Sequence, residues 1–180
     1  MDIVIRNEKE IEYRYVETMT RASFWNVYKP GCDEHVMVHK LRQSKEYIPE
    51  LDFVAEYDGK IVGHVMCSHT KILNEQDTVV DEENIVAIGP ICVLPKYQGL
   101  GIGSALMNHV ILETSRLGYL GLVLYGNPTY YHRFGFVNAK EYGISTPQNE
   151  NFEEFMMLGL EERLNQMQSE NRSKGYCSDQ

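Results

Sequence analysis

Residues 93–106 of this 180-residue chain read VLPKYQGLGIGSAL, with three glycines at alternate positions between a predicted strand and a predicted helix. Glycine permits tight turns and close backbone approach, so such a loop directs several N–H groups outward at the positive end of the helix. This arrangement binds phosphate groups. The stretch therefore predicts a phosphate-binding loop at the centre of the fold.

The spacing of the glycines excludes two common phosphate loops. A dinucleotide fingerprint G-x-G-x-x-G would need glycine at position 104 or 106, where the chain has Ser104 and Leu106. A P-loop needs lysine followed by Ser or Thr at the helix start, yet no lysine occurs between Lys96 and Lys140. Dinucleotide binding and ATP hydrolysis are thus disfavoured.

The flanking segments predict a parallel crossover joined to an antiparallel hairpin. Residues 85–93 are nearly all apolar, as in a strand buried on both faces, and residues 102–117 carry apolar side chains at helical spacing. Residues 120–125 predict the next strand. Upstream, Asp58-Gly59 separates strands at 51–57 and 61–67, a strong hairpin signal. Together they predict an α/β fold (α+β in some schemes) with a mixed, mostly antiparallel sheet.

The N-terminal region predicts a short strand and two helices. Asn7 with Glu10 is typical of a capping box that opens a helix running to about Trp25, and a second helix is predicted over residues 33–43. The aromatic break at residues 25–31 is either a pocket wall or core packing. The acidic segment 75–83 is interpreted as a solvated loop.

Length and composition predict one domain, residues 1–165, with a polar C-terminal tail at 166–180 that is frayed. The net charge of −9 argues against nucleic-acid and anionic-membrane partners, which need a basic surface. No apolar run is long enough to span a membrane and no signal peptide is evident, so a cytoplasmic protein is expected, as monomer or homodimer. Four cysteines without paired spacing suggest neither a metal site nor disulfides.

Two motifs together resemble the GNAT superfamily of N-acetyltransferases. The first is Q-x-x-G-x-G at residues 98–103, and the second is GNPTYYHRFGF at residues 126–136. The second motif places Tyr131 four residues before Gly135-Phe136, in a form similar to a bacterial branch of the family. The resemblance implies a sheet splayed around the strand, loop, helix and strand, with the pantetheine arm of acetyl-CoA in the gap.

The resemblance also implies the residues that bind acetyl-CoA. The backbone of Ile91, Cys92 and Val93 would pair with pantetheine amides. Backbone amides of the loop would hold the pyrophosphate, and this set comprises Gly99, Leu100, Gly101, Ile102, Gly103 and Ser104. Gln98, at the start of the loop, is also a candidate cofactor-binding residue. Asn127 is a candidate for the pantetheine arm, or a local helix cap. Arg133 is a candidate phosphate contact, or a solvated side chain.

By the same resemblance, Tyr131 is the general acid that protonates the departing sulfur, and the amide of Val93 or a neighbour polarises the thioester carbonyl. The implied activity is acetyl transfer from acetyl-CoA to a primary amine of a small molecule or peptide by direct attack. No metal is implied. A non-catalytic acyl-CoA-binding or sensing module is the alternative.

The general base stays unassigned, which is the reason for that alternative. Some family members place a carboxylate where this chain has Ala87, which cannot accept a proton. Glu56, His64 and His69 on the preceding hairpin are the nearby candidates.

Charge is divided along the chain: residues 93–140 hold four bases and one acid (+3), and the remainder carries −12. A cationic amine is therefore the expected acceptor.

Overall fold

The computed structural model describes residues 2–73, 78–146 and 152–160. Its strands are β1 (Ile3–Asn7), β2 (Phe53–Tyr57), β3 (Lys60–His69), β4 (Ile72–Leu73), β5 (Val79–Asp81), β6 (Ile85–Val93), β7 (Gly121–Tyr125), β8 (Val137–Asn138) and β9 (Phe155–Gly159). Its α-helices are α1 (Tyr13–Phe24), α2 (Glu34–Arg42), α3 (Ile102–Arg116) and α4 (Pro128–Tyr131). Short 3-10 turns lie between several of them.

Seven strands form one sheet in the order β1-β2-β3-β6-β7-β9-β8. The β6–β7 pair is parallel and the other neighbours are antiparallel. The β2–β3 hairpin turns at Asp58-Gly59, both with positive φ of 50° and 70°, as a type I′ turn requires. The predicted mixed, mostly antiparallel sheet is confirmed.

The sheet splays between β6 and β7. These strands pair only where residues 85–87 lie beside residues 121–123, whereas β6 stays paired with β3 through Val93. The β3–β6 register shifts by one residue opposite Gly89-Pro90. Proline has no N–H to donate and is tolerated at such a bulge. The edge of β6 beyond residue 87 is therefore open towards β7.

Helices cover the two faces of the sheet. On one face α3 buries Ile102, Leu106 and Val110 against a core that includes Val65 and Leu122. On the other face α1 packs through a cluster of Val16, Met19, Val54 and Cys92. The helix α2 lies on this second face and packs against α1 and β6.

The N-terminal helix does not begin as the Asn7–Glu10 pattern predicted. Residues 10–12 form a 3-10 turn with Lys9 at its N-cap, and the Lys9 backbone N–H donates to Glu12 Oε2 at 2.9 Å. The Asn7 side chain instead donates to three carbonyls near the start of β2, the nearest being Asp52 O at 3.2 Å. These bonds orient the Asn7 side chain towards β2, and the N-cap position is taken by Lys9.

Part of the acidic segment is also more ordered than predicted, because residues 79–81 form β5 and pair with β4. Residues 74–77 and the predicted tail, residues 166–180, lie outside the described residues. In the ranges that the structure describes, no helix combines the length and apolar character needed to cross a membrane.

We expect Gly63→Ala to destabilise the fold. A Cβ at Gly63 would lie 3.0 Å from Leu106 Cδ1, 3.1 Å from Cys92 O and 3.2 Å from Ile102 Cγ2. Overpacking of this kind costs about 1–3 kcal/mol. At roughly 2–4 °C per kcal/mol for a chain of this size, thermal unfolding should show a Tm several degrees lower. An unchanged Tm would contradict such close packing of α3 on β3.

Candidate functional site

The glycine loop leaves the N-terminus of α3 open to a ligand. Gly99 and Gly101 have φ of 79° and 84°, a region that favours glycine, and Gly101 is the N-cap residue. No side chain of the described residues caps this helix, and Ala105 N–H donates to Gly101 O at 2.9 Å. The amides of the first turn, residues 102–104, are thus suited to an anion.

Two contacts hold the loop in place. Gln98 Nε2 donates to Val93 O at 3.1 Å, which ties the loop to the end of β6. A Cβ at Gly103 would lie 2.8 Å from Tyr130 Oη, so the Tyr130 hydroxyl reaches the start of α3. The fold therefore brings the two sequence motifs together. The sequence did not predict Tyr130 as a residue of the site, and its position next to Tyr131 is the feature that could have indicated it.

The open edge of β6 offers backbone atoms more than side chains. Ile91 and Val93 are half-buried, whereas Cys92 is buried with its Sγ 3.7 Å from Thr20 Oγ1 of α1. Burial raises the pKa of the Cys92 thiol to about 11. Since the thiolate is the reactive form, Cys92 is a poor nucleophile at neutral pH. Only its backbone suits the predicted role.

Tyr131 is buried at the end of α4. Its ring lies so close to Gly126 that a Cβ there would overlap it, and it packs edge-to-face with Tyr130 and Phe136 at centroid distances of 5.0 and 5.9 Å. Burial, with a smaller effect of Tyr130 and Tyr28, raises the Tyr131 pKa well above its ordinary value. The hydroxyl therefore keeps its proton at neutral pH and can donate a hydrogen bond.

The side chains of Asn127 and Arg133 are both held by contacts with nearby residues. Asn127 Oδ1 accepts from Thr129 N–H at 2.9 Å and caps α4. Arg133 Nε donates to Tyr130 O at 2.9 Å, and its guanidinium lies 4.0 Å from the centre of the Tyr130 ring. Arg133 is thus held against Tyr130, the residue whose hydroxyl reaches the α3 N-terminus.

None of the base candidates gains support. Glu56 accepts from Arg6 Nε at 2.9 Å at the β1–β2 edge, and the His69 ring lies 5.9 Å from that of Tyr119. His64 is completely buried, with Nε2 2.9 Å from Asp52 Oδ1. Ala87 is packed in a small apolar cluster beside β7. The general base therefore stays unassigned.

A cavity of about 410 Å³ lies along one face of α2. Its described lining consists of Asp33, Val36, Met37, Lys40, Leu41 and Ser44. Leu41 Cδ2 would lie 3.7 Å from a Cβ at Gly89, so this lining residue also packs towards the bulged stretch of β6. Val36 and Met37 are exposed, as are Trp25 and Tyr28 in the α1–α2 connection. Exposed apolar groups beside a cavity are typical of ligand sites.

A buried ionic network lies behind this helix. Glu8, Asp52 and His64 place possible ligand atoms within 4.8 Å of one another, as a metal site would. However, Arg42 Nη2 donates to both carboxylate oxygens of Glu8, at 2.8 and 2.7 Å. The guanidinium thus supplies the positive charge at this position. We interpret the cluster as an internal ion-pair network.

Protonation differs within the network. Burial and the adjacent Asp52 carboxylate raise the pKa of Glu8 above its ordinary value, although Arg42 opposes them. Burial also disfavours the charged form of Asp52, but hydrogen bonds with His64 and Tyr47 lower its pKa overall. The two carboxyl groups therefore share one proton more readily than both ionise.

Comparisons with known proteins agree with this geometry. Residues 50–138 match the model of the acetyltransferase (GNAT) domain. The fold is similar to a GNAT family acetyltransferase from Brucella melitensis in complex with acetyl-CoA, with 30% identity, a TM-score of 0.70 and 88% of each chain covered. It is also similar to YhbS from Escherichia coli in complex with CoA, with 26% identity, a TM-score of 0.75 and coverage of 88% of this chain and 81% of YhbS.

Among curated proteins, the uncharacterised N-acetyltransferase YjhQ of Escherichia coli is 31% identical over 100 residues. That alignment covers 56% of this chain, and the chain spans about half, 53%, of YjhQ.

We expect Glu8→Gln to change how stability depends on pH. The pKa of Glu8 is raised to about 8 in the folded protein, whereas the unfolded chain releases this proton above roughly pH 4.3. Between these two values the group lowers the free energy of unfolding as the pH rises. We expect the free energy of unfolding of the variant, measured with urea, to rise relative to that of the wild type between pH 6 and pH 8.

Glu12→Gln is the matched control. Its hydrogen bond with Arg6 lowers the pKa of Glu12, so its contribution is fully present above the ordinary pKa of a glutamate. The difference between this variant and the wild type should be the same at pH 6 and pH 8. A constant difference for Glu8→Gln as well would show that Glu8 is ionised in its pair with Arg42.

Proposed function

The chain belongs to the GNAT family of acetyltransferases, and from that membership we propose that it transfers the acetyl group of acetyl-CoA to a primary amine by direct attack. The observation that carries the proposal is the splay: β6 is not paired with β7 beyond residue 87, and the core cluster that contains Tyr131 has Ile91 and Val93 of β6 packed against it. The start of α3 has no side-chain cap among the described residues. The complexes of the Brucella protein with acetyl-CoA and of YhbS with CoA support this choice of donor.

The residues present fit acetyl-CoA. The amides of residues 99–104 would hold the pyrophosphate, with the Tyr130 hydroxyl near Gly103 and Arg133 packed on the Tyr130 ring. Backbone groups of residues 91–93 would pair with the pantetheine arm as an added strand does. Acetyl-CoA supplies an activated acyl group on a thiol leaving group. The chain's task is to align it and to stabilise the charge that develops on its carbonyl and sulfur.

Tyr131 acts by hydrogen-bond donation to the departing sulfur. With reference pKa values of about 10 for tyrosine and 8.5 for a thiol, full proton transfer is uphill by roughly 2 kcal/mol. The raised pKa of Tyr131 makes full transfer costlier still. A neutral hydroxyl held rigidly by aromatic neighbours nevertheless stabilises a thiolate as it forms, because the donor is already oriented.

Direct attack is favoured over an acetyl-cysteine intermediate. Of the three cysteines in the described ranges, Cys67 and Cys92 are buried, and burial raises both thiol pKa values. Cys32 is only partly buried, but burial and nearby acids raise its thiol pKa as well. All three are therefore mainly protonated at neutral pH and poorly suited to accept the acetyl group.

The α2 cavity is the proposed acceptor site, because its lining residue Leu41 packs towards the bulged stretch of β6. Val36, Met37 and Leu41 make its wall largely apolar. The proposed acceptor is accordingly an amine that carries an apolar group.

The second candidate function, an acyl-CoA-binding module without turnover, is favoured by Ala87 and the unassigned base.

Thiol release from acetyl-CoA with a panel of amines tests the proposal. We expect phenethylamine to exceed ethanolamine and spermidine in kcat/KM by roughly tenfold or more, as burial of several methylene-sized groups allows. Calorimetry with CoA separates the alternatives. Binding without thiol release above hydrolysis favours the binding module, and absence of CoA binding contradicts both functions.

Tyr131→Phe should lower kcat by roughly 10²-fold or more, the usual range for loss of a positioned proton donor. The KM for acetyl-CoA should change much less, since the ring and its packing remain. Tyr119→Phe is the matched control, because burial raises the pKa of Tyr119 as it does that of Tyr131. Tyr119 is half-buried and follows the C-terminal end of α3. Equal activity of the two variants would remove Tyr131 from this role.

A further inference from the structure

We propose that Arg42 is a positioning residue for the acceptor side of the site: through the buried ionic network it fixes α2 and so the wall of the α2 cavity. The inference rests on the proposed function, which assigns that cavity to the acceptor amine. Arg42 itself does not line the cavity. It acts through the helix that it ends.

The Arg42 side chain joins α2 to two other elements. It is only 4% exposed, and its Nη2 bonds both oxygens of Glu8, which directly follows β1. Its Nη1 donates to Glu17 Oε1 of α1 at 3.0 Å, and the guanidinium lies 4.1 Å from the centre of the Tyr13 ring. A planar guanidinium can make these contacts together because its donors form a rigid fork.

The partners of Arg42 are themselves held by the sheet. Glu8 N–H donates to Asp52 O at 3.1 Å, and Asp52 lies directly before β2. The Asp52 carboxylate accepts from Tyr47 Oη at 2.6 Å and lies 2.9 Å from His64 Nε2 on β3. Arg42 Nε, a buried donor without a hydrogen bond among the described residues, is 3.9 Å from Asp52 Oδ2. The network thus fixes the position of α2 relative to three strands, β1, β2 and β3.

Apolar packing alone anchors α2 weakly. Of its nine residues only Val38 is fully buried, whereas six residues of α3 are. The cavity-lining residues Met37 and Lys40 are exposed. Because so little apolar surface fixes this helix, the ionic contacts of Arg42 determine much of its rotation and height above the sheet.

A change at Arg42 would move the cavity wall directly. Leu41 is adjacent to Arg42, and its Cδ2 would lie 3.7 Å from a Cβ at Gly89 of β6. Met37 lies about one turn earlier and also lines the cavity. Rotation of α2 about its axis would displace both side chains. The cofactor loop and Tyr131 lie on other elements, so the donor side should be unaffected.

Arg42→Lys tests the proposal, because lysine keeps the positive charge but loses the fork. Arg116→Lys is the matched control: Arg116 ends α3 as Arg42 ends α2, but its side chain is 64% exposed. We expect Arg42→Lys to raise the KM for phenethylamine roughly tenfold, as displaced positioning does, with the KM for acetyl-CoA and kcat within about twofold. Arg116→Lys should leave all three constants unchanged.

Hydrogen exchange gives a readout that is independent of turnover. Amides of α2 should exchange faster in Arg42→Lys than in the wild type or in Arg116→Lys, while those of α3 stay protected. If Arg42→Lys does not fold, the pair Arg42→Met and Glu8→Gln in one chain serves instead, because it removes the buried guanidinium and the ionisable carboxyl together. The same faster exchange is expected.

Equal rises in both KM values, or wild-type exchange throughout α2, would overturn the positioning role. A wild-type protein that binds CoA but acetylates no amine would contradict the proposed function instead. In that case the α2 exchange rates still decide whether Arg42 positions the helix.

Discussion

The structure depends on a parallel strand pair that separates after three residues. The bulge at Gly89-Pro90 takes one extra residue into β6, and proline at that point removes a backbone donor. Residues 88–93 of β6 consequently face β7 without pairing to it. Backbone groups left open in this way need a partner. The gap therefore suits an extended, amide-bearing ligand, and the α3 N-terminus and Tyr131 both gain their proposed roles from their place beside it.

The separation also explains why the loop and the tyrosine motif act together. A crossover through α3 returns the chain parallel to β6, so the end of β7 and the start of α4 lie near the end of β6 where the loop begins. Tyr130 then reaches Gly103, and Tyr131 packs on Gly126. Two motifs that are about 25 residues apart in the chain become one site because the crossover connects neighbouring strands.

In the folded protein some of the acidic side chains bond internally. The sequence divides into a basic cofactor segment and a remainder of −12, which suggests an acidic surface facing a cationic amine. Three of those acids, Glu8, Glu17 and Asp52, instead bond to Arg42, His64 or Tyr47 within the protein. The wall of the α2 cavity is largely apolar. For the acceptor proposed above, apolar contact is therefore expected to matter more than the net charge implies.

Sequence alone determined the loop, the hairpin and the crossover, because each rests on local chemistry: glycine at positive φ, Asp58-Gly59 in a tight turn, and apolar residues at strand or helix spacing. It also determined the family, which both motifs predicted and the comparisons confirmed. Only the tertiary structure decided that Asn7 bonds the β2 entry rather than capping a helix, that Tyr130 joins the loop, and that Arg42 and His64 are buried partners of carboxylates. These contacts join residues far apart in the chain, and no local pattern specifies which distant groups will meet.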